Sequence, residues 1–195
     1  MLCYKDRKKL QEKLEELYCN DCDIIICGSC CDAATSICDC CVNPMEILLN
    51  QLINILPAAA TIQVTLDTGE VQSFQVNQVV SINDSIINIQ NTNFISICNI
   101  SRVRWRDITT ISQLNLVPAG CTCEECDCCE RPLRENLSNF INENIALQFE
   151  GQQDPNISQS LTVRRVGLGI VVGENVTDGA PDAYSICKIS RFNAI

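Results

Sequence analysis

The chain has 195 residues, 16 of them cysteine and none histidine, and its net charge is −10. Without histidine the commonest general base is gone, and with it the Ser-His and Cys-His pairs of nucleophilic catalysis. Residues 19–195 hold 9 basic against 20 acidic side chains, which excludes the clustered Lys and Arg that nucleic acid or an anionic membrane would need.

Residues 3–18 read as a helix with Leu10, Leu14, Leu17 and Tyr18 on one narrow stripe. A helix of that length is marginal alone, so it is expected either as an exposed arm or docked on a neighbouring subunit. Met1-Leu2-Cys3-Tyr4-Lys5 runs straight into charge with no apolar core of a secretory signal. The most apolar stretch, Met45 to Val64, is broken by Glu46, Asn50, Gln51, Asn54 and Pro57 and makes a poor membrane span. Residues 19–41 hold eight cysteines and read as an irregular connector.

The cysteine run Cys38-Asp39-Cys40-Cys41 occurs again as Cys126-Asp127-Cys128-Cys129. Each copy leads through a proline (Pro44, Pro132) into a short amphipathic helix, with Leu48, Leu49, Leu52 and Ile53 in one and Leu137, Phe140 and Ile141 in the other. Each ends in one phrase, Ser96-Ile97-Cys98-Asn99-Ile100-Ser101-Arg102 and Ser185-Ile186-Cys187-Lys188-Ile189-Ser190-Arg191, an offset of 89. A repeat of this length points to one unit used twice. The expected organisation is an N-terminal helical arm and connector at 1–37, a β module at 38–105, a linker at 106–125 in which the second cysteine cluster begins, and a second β module at 126–195.

In the first module Asn43 suits a helix N-cap, Pro44 the first helical position and Glu46 a capping box, with Pro57 ending the helix after Leu56. The period then changes to two at Ile62, Val64 and Leu66, and Asp67-Thr68-Gly69-Glu70 reads as a turn. Strands follow at 71–82 (two, or one bent strand), 85–90 and 94–103, and residues 105–120 form a linker with room for one more strand. The second module repeats this with strands at Ile145, Leu147 and Phe149, then 157–166, 168–172 and 183–191. The fold class is mainly β with short helices: two tandem copies of a helix plus a small antiparallel barrel or sandwich.

The cysteines admit three chemistries. Cys19-x2-Cys22, Cys27-x2-Cys30 and Cys123-x2-Cys126 have the spacing that sets two thiolates on one zinc ion or iron–sulfur cluster. The spacing between pairs is unlike a zinc ribbon, so this cytosolic metal module is the alternative and no cofactor is assigned. Cys98 and Cys187, equivalent in the final strands, read as buried thiols behaving as small hydrophobes. The third reading is disulfide cross-linking. Vicinal pairs 30–31, 40–41 and 128–129 rarely bond internally and more naturally take different partners. Cross-link candidates are Cys3, Cys19, Cys22, Cys27, Cys30, Cys31, Cys38, Cys40, Cys41, Cys121, Cys123, Cys126, Cys128 and Cys129. No phosphate-binding loop or dinucleotide fingerprint is present, and no catalytic residue is assigned. Between Val71 and Arg102 there is almost no charge, so the strand edges lack the Lys and Pro that guard against strand addition.

The lead-in Cys40-Cys41-Val42-Asn43-Pro44-Met45, followed by a Leu-spaced helix and an Asn- and Gln-rich β unit, resembles spore-coat and spore-surface proteins of endospore-forming Firmicutes. The likeness covers residues 38–105 and recurs more loosely at 126–195. It implies a structural subunit made in the mother-cell cytoplasm without a signal peptide. Its destination would be an oxidised coat, exosporium layer or appendage, and its partners itself and other spore-surface proteins. The helix-plus-strands pattern also looks like an Sm- or SH3-like small barrel, which implies a protein- or RNA-binding adaptor as a further alternative.

Overall fold

The computed structural model describes residues 39–117, 130–152 and 158–195. The arm expected at 3–18, the connector and the second cysteine cluster lie outside them. The chain divides into two compact units, 1–34 and 35–195, and everything described below belongs to the second.

Helix α1 (Asp39–Ile55) begins one turn earlier than its capping signals suggest, so that Pro44 lies inside it. Pro44 is the sixth residue, past the first turn, so it forgoes the N–H bond to the Cys40 carbonyl. The added turn carries Cys41, bonded to Cys187, and buried Val42, so tertiary contacts extend the helix past its local start signal. Met45, Leu48, Leu49 and Leu52 are buried on one face, as the spacing of three and four residues requires. The helix stops before Pro57, with the Leu56 amide donating to the Leu52 carbonyl at 2.9 Å.

Strands β1 (Thr61–Leu66) and β2 (Val71–Gln75) form a hairpin. A 3-10 turn at Val76–Gln78 separates β2 from β3 (Val79–Asn83), so the stretch read as a pair or one bent strand is a strand broken at a corner. Next come β4 (Ile86–Ile89) and β5 (Asn93–Ser96), a second 3-10 turn at Ile97–Asn99, and β6 (Ile100–Arg104). Among the described residues of the linker there is a 3-10 turn at Ile108–Ser112 and no added strand.

The second half repeats this order in a shorter form. Helix α2 (Glu130–Ser138) is followed by β7 (Asn144–Phe149), β8 (Gln159–Gly167), β9 (Ile170–Asn175), β10 (Pro181–Ser185), a 3-10 turn at Ile186–Lys188 and β11 (Ile189–Ala194). The stripe expected on α2 is cut short. Three-residue hydrogen bonds close the helix at Leu137 to Phe140, Asn142 turns the chain with φ 69°, and Ile141 is left exposed.

The alternation in the repeated phrase predicts one strand, yet in both copies it is strand, 3-10 turn, strand. The turn is held by the same bond each time: the amide of Ile97 donates to the Ser85 carbonyl at 2.8 Å, and that of Ile186 to the Gly169 carbonyl at 2.9 Å. Alternating apolar residues do not distinguish a strand from two strands meeting at a buried corner.

All strand pairs are antiparallel, in an eight-stranded sheet of order β11-β7-β8-β9-β10-β6-β1-β2 and a three-stranded sheet β3-β4-β5. Of the barrel or sandwich expected for each module, no closed barrel is found: among the described residues both sheets are open, and the large one runs through both halves of the chain. Two apolar cores result. One packs α1 against the first-half strands and also takes in Ile170, Val172 and Ala183. The other holds Leu137, Ile145, Leu147, Leu161, Val171 and Tyr184. Strands β9 and β10 are therefore buried on both faces, with alternate residues in alternate cores.

Candidate functional site

The charged groups and the disulfide gather at the seam where the halves meet. Strand β6 of the first half pairs with β10 of the second in the register Asp182↔Arg104, Ala183↔Val103 and Tyr184↔Arg102. The Trp105 amide extends the ladder to the Pro181 carbonyl at 3.2 Å. Val103 and Ala183 point into the first core, and Tyr184 into the second.

Alternation puts Arg102 and Arg104 on one face of β6, opposite Asp182, whose side chain is fully buried. Both guanidinium groups donate two hydrogen bonds each to that carboxylate. Arg102 does so through Nε at 3.0 Å and Nη2 at 2.9 Å, and Arg104 through Nε and Nη2 at 2.8 Å. Arg104 also reaches Asp178 at 2.9 Å. Paired forks of this kind fix geometry as well as charge. The hydrogen bond to Asp182 raises the Arg104 pKa above its ordinary value against the opposing effect of burial, and the charges of Asp182 and Asp178 add to the rise. The Tyr184 hydroxyl donates to Asp182 at 3.3 Å, and its ring lies 5.7 Å beneath the Arg102 guanidinium carbon. Burial first, then the Asp182 charge, push the Tyr184 pKa far above the ordinary phenol range despite the two arginines.

A disulfide staples the same seam. Cys41 in α1 bonds Cys187 in the last 3-10 turn, across 146 residues of chain and a Cα separation of 6.3 Å. Cys187 is thus oxidised rather than the buried thiol expected of it, because the seam brings the start of α1 against the turn after β10. Cys98, its sequence equivalent, is half-buried and lines a small cavity with Cys41, Cys187 and Lys188. Cys40 stands in the first turn of α1. The other cross-link candidates lie outside the described residues, as do Cys19, Cys22, Cys27, Cys30, Cys123 and Cys126 of the metal alternative. Among the described residues no group of three or more metal-ligating side chains occurs.

Lys188 closes the seam at the surface, donating to Asp67 of the first half at 3.1 Å and to Glu150 of the second at 2.9 Å. Burial acts to lower its pKa, but the hydrogen bonds and charges of Glu150 and Asp67 leave it raised. Beside it Gly151, at φ +81°, passes so close to the end of β1 that a Cβ would stand 1.9 Å from the Leu66 carbonyl oxygen. Only glycine lets the two backbones approach in this way.

The seam has an outer counterpart. Among the described residues β5 pairs only with β4, and β11 only with β7, so each has an open edge. Phe94 on β5 is 60 % exposed, and Ile86, diagonal to it on the same face of β4, is also exposed. A groove of about 790 Å³ lies where Leu56, Trp105 and Asp107 meet Asp178. Of the two arginines that line it, Arg104 and Arg106, the first is already committed to Asp182 and Asp178.

The scarcity of edge guards was legible in the sequence, whereas the charge cluster at Asp182 was not. Its signal was there to use. In a module with almost no charge, Arg102 and Arg104 fall two residues apart and therefore on one strand face. Among the described residues no helix is long and apolar enough to cross a membrane. No family model, no curated protein and no solved structure matches the chain.

Proposed function

We propose that the chain is a non-enzymatic structural subunit, two tandem copies of one helix-plus-β unit, that self-assembles into a disulfide-cross-linked layer or filament on the spore surface. One observation carries the reading: within the chain, one half already adds its strand to the other half's sheet, β10 to β6, and Cys41–Cys187 staples the joint. Strand addition plus a disulfide is a complete joining device, used here once inside the subunit. The cysteines of the segments 19–40 and 121–129 supply further sulfur for joints between subunits. The resemblance to spore-surface proteins supplies the compartment, a mother-cell product oxidised as the spore matures.

The hydrogen bonds support the tandem copy. The Asp67 amide donates to the Asn99 carbonyl at 2.8 Å and the Glu150 amide to the Lys188 carbonyl at 2.9 Å, at matching points of the two halves. In both, a helix glutamate accepts from the turn between the middle strands: Glu46 from the Ser85 amide at 3.0 Å, Glu130 from the Gly169 amide at 2.9 Å.

The test is a gel of native material with and without thiol, with metal analysis of the same sample. A ladder, or material held in the well, that collapses to 21.6 kDa only with thiol is the expected result. A single band in both lanes with stoichiometric zinc or iron would overturn it in favour of the metal module.

A further inference from the structure

We propose that copies of this chain join head to tail, with β5 of one copy adding antiparallel to β11 of the next in the register Asn93↔Asn193, Phe94↔Phe192 and Ile95↔Arg191. The inference deepens the assembly reading and rests on it. The register comes from the seam. The two copies of the closing phrase are offset by 89, so β10 residues 182, 183 and 184 correspond to 93, 94 and 95, and β6 residues 104, 103 and 102 to 193, 192 and 191. The internal joint uses β10 and β6, and the strands left open are their equivalents, β5 and β11. The same contact, made once inside the chain, is therefore available once more at each end.

The face agrees with the edge. Across the seam Ala183 enters the first core beside Val103, and Ile170 and Val172 follow it from β9. The turns before β9 and β4 match at an offset of 84, so Ile86 and Asn88 take the places of Ile170 and Val172 while Phe94 takes that of Ala183. Phe94 and Ile86 are exposed in the single chain, where their counterparts are buried by the other half. Val103 corresponds to Phe192, which packs on the second core edge to face with Phe140 at 5.7 Å. Phe94 of one copy then meets Phe192 of the next, a cross-strand aromatic pair on the rim of an apolar core. Neither edge resists it: β5 is Asn-Phe-Ile-Ser, and β11 carries one charge, Arg191.

The two joints differ in charge. Asn93 replaces Asp182 and Asn193 replaces Arg104, so the outer joint has no buried carboxylate and no fork to hold it. It is a less charged, reversible version of the internal one, keeping Arg191 in the place of Arg102. Because β5 and β11 are different surfaces, the contact is heterologous, and repetition gives a ring or a filament.

The experiment is sedimentation of the full chain over a concentration series, in oxidising and in reducing buffer, comparing wild type with Phe94→Lys, Val71→Lys and the double variant Asn93→Asp with Asn193→Arg. Val71 is also exposed, but on the opposite sheet edge, β2. Phe94→Lys should need about thirtyfold more protein to assemble, Val71→Lys should behave as wild type, and the double variant should assemble at lower concentration and become salt-sensitive. If wild type assembles and Phe94→Lys assembles equally well, this inference fails and the assembly reading stands. If Phe94→Lys is defective but the double variant gains nothing, the register is wrong. A wild-type chain that stays monomeric in both buffers overturns the assembly reading itself.

Discussion

The halves 39–104 and 130–195 run through a similar order of elements, a helix then six strands in the first and five in the second, yet one is split between two sheets and the other lies within a single sheet. The difference sits in one strand. In the second half β8 is continuous over Gln159–Gly167 and pairs with both β7 and β9, with one register shift between Val163 and Arg165. In the first half the equivalent strand breaks at Val76–Gln78, and the Gln78 side chain accepts the Gln75 amide at 2.8 Å. The break sends β2 to β1 and β3 to β4. A bulge bends a strand and disrupts the ladder at one residue while the same two strands go on pairing, whereas here the 3-10 turn ends one ladder and begins another. The first half is thereby left with β5 at the edge of a small sheet, while its equivalent β10 is buried on both faces.

That comparison is broken most severely by removing the staple. Cys187→Ser should cost up to about 5 kcal/mol, since the bond closes a loop of 146 residues and the entropic effect grows with loop length. The check is chemical denaturation of wild type and variant at equal low concentration, where an unchanged midpoint would show that the seam holds without sulfur. Next is Asp182→Ala, which removes the buried carboxylate that Arg102 and Arg104 share across the joint and leaves Arg104 with Asp178. A loss of about 3 kcal/mol is expected, measured the same way, because stripping one partner from a buried charge cluster leaves the rest uncompensated. The equivalent change Asn93→Ala should leave the stability of the single chain nearly untouched, since Asn93 is exposed at an open edge.

Gly151→Ala tests the contact on the other side of the seam. The new methyl would meet the Leu66 carbonyl oxygen at 1.9 Å in a backbone region with φ +81°, so a loss of about 2 kcal/mol is expected. Gly179→Ala is the control: it shares a positive φ, 70°, but has open space around it and should lose less. Equal losses in both would mean that the close approach contributes nothing beyond the backbone conformation.

Much of this arrangement was readable beforehand, for physical reasons that also mark the limit. The leucine spacing of α1, the alternation of Ile62 and Val64, and the turn at 67–70 are local signals, and local burial obeys them. Ile170-Val171-Val172 is an unbroken apolar run, and such a run announces a strand covered on both faces. What escaped the sequence is long-range. That Ser185-Ile186-Cys187 turns a corner depends on a bond to Gly169, and that Cys187 is oxidised depends on the start of α1, 146 residues away. Pairing of β6 with β10 leaves no mark in either strand except the opposite charges that meet there.

Alkaline pH probes the seam most gently. Tyr184 is buried with its pKa raised by burial and by the Asp182 charge, whereas in the unfolded chain it ionises near the ordinary value of about 10. Below that pH the phenol is neutral in both states and its contribution is fully present. As the pH climbs past about 10 the unfolded chain sheds the proton first, and stability falls. Lys188 acts with the same sign and less force, being nearer solvent: its raised pKa keeps it charged between Asp67 and Glu150 after its unfolded counterpart has lost the proton. The melting temperature should therefore decline between about pH 9 and 11, more steeply in wild type than in Tyr184→Phe. Lys188→Met should flatten the slope by a smaller amount. Identical slopes in all three proteins would place the alkaline sensitivity outside the seam and remove Tyr184 and Lys188 from its account.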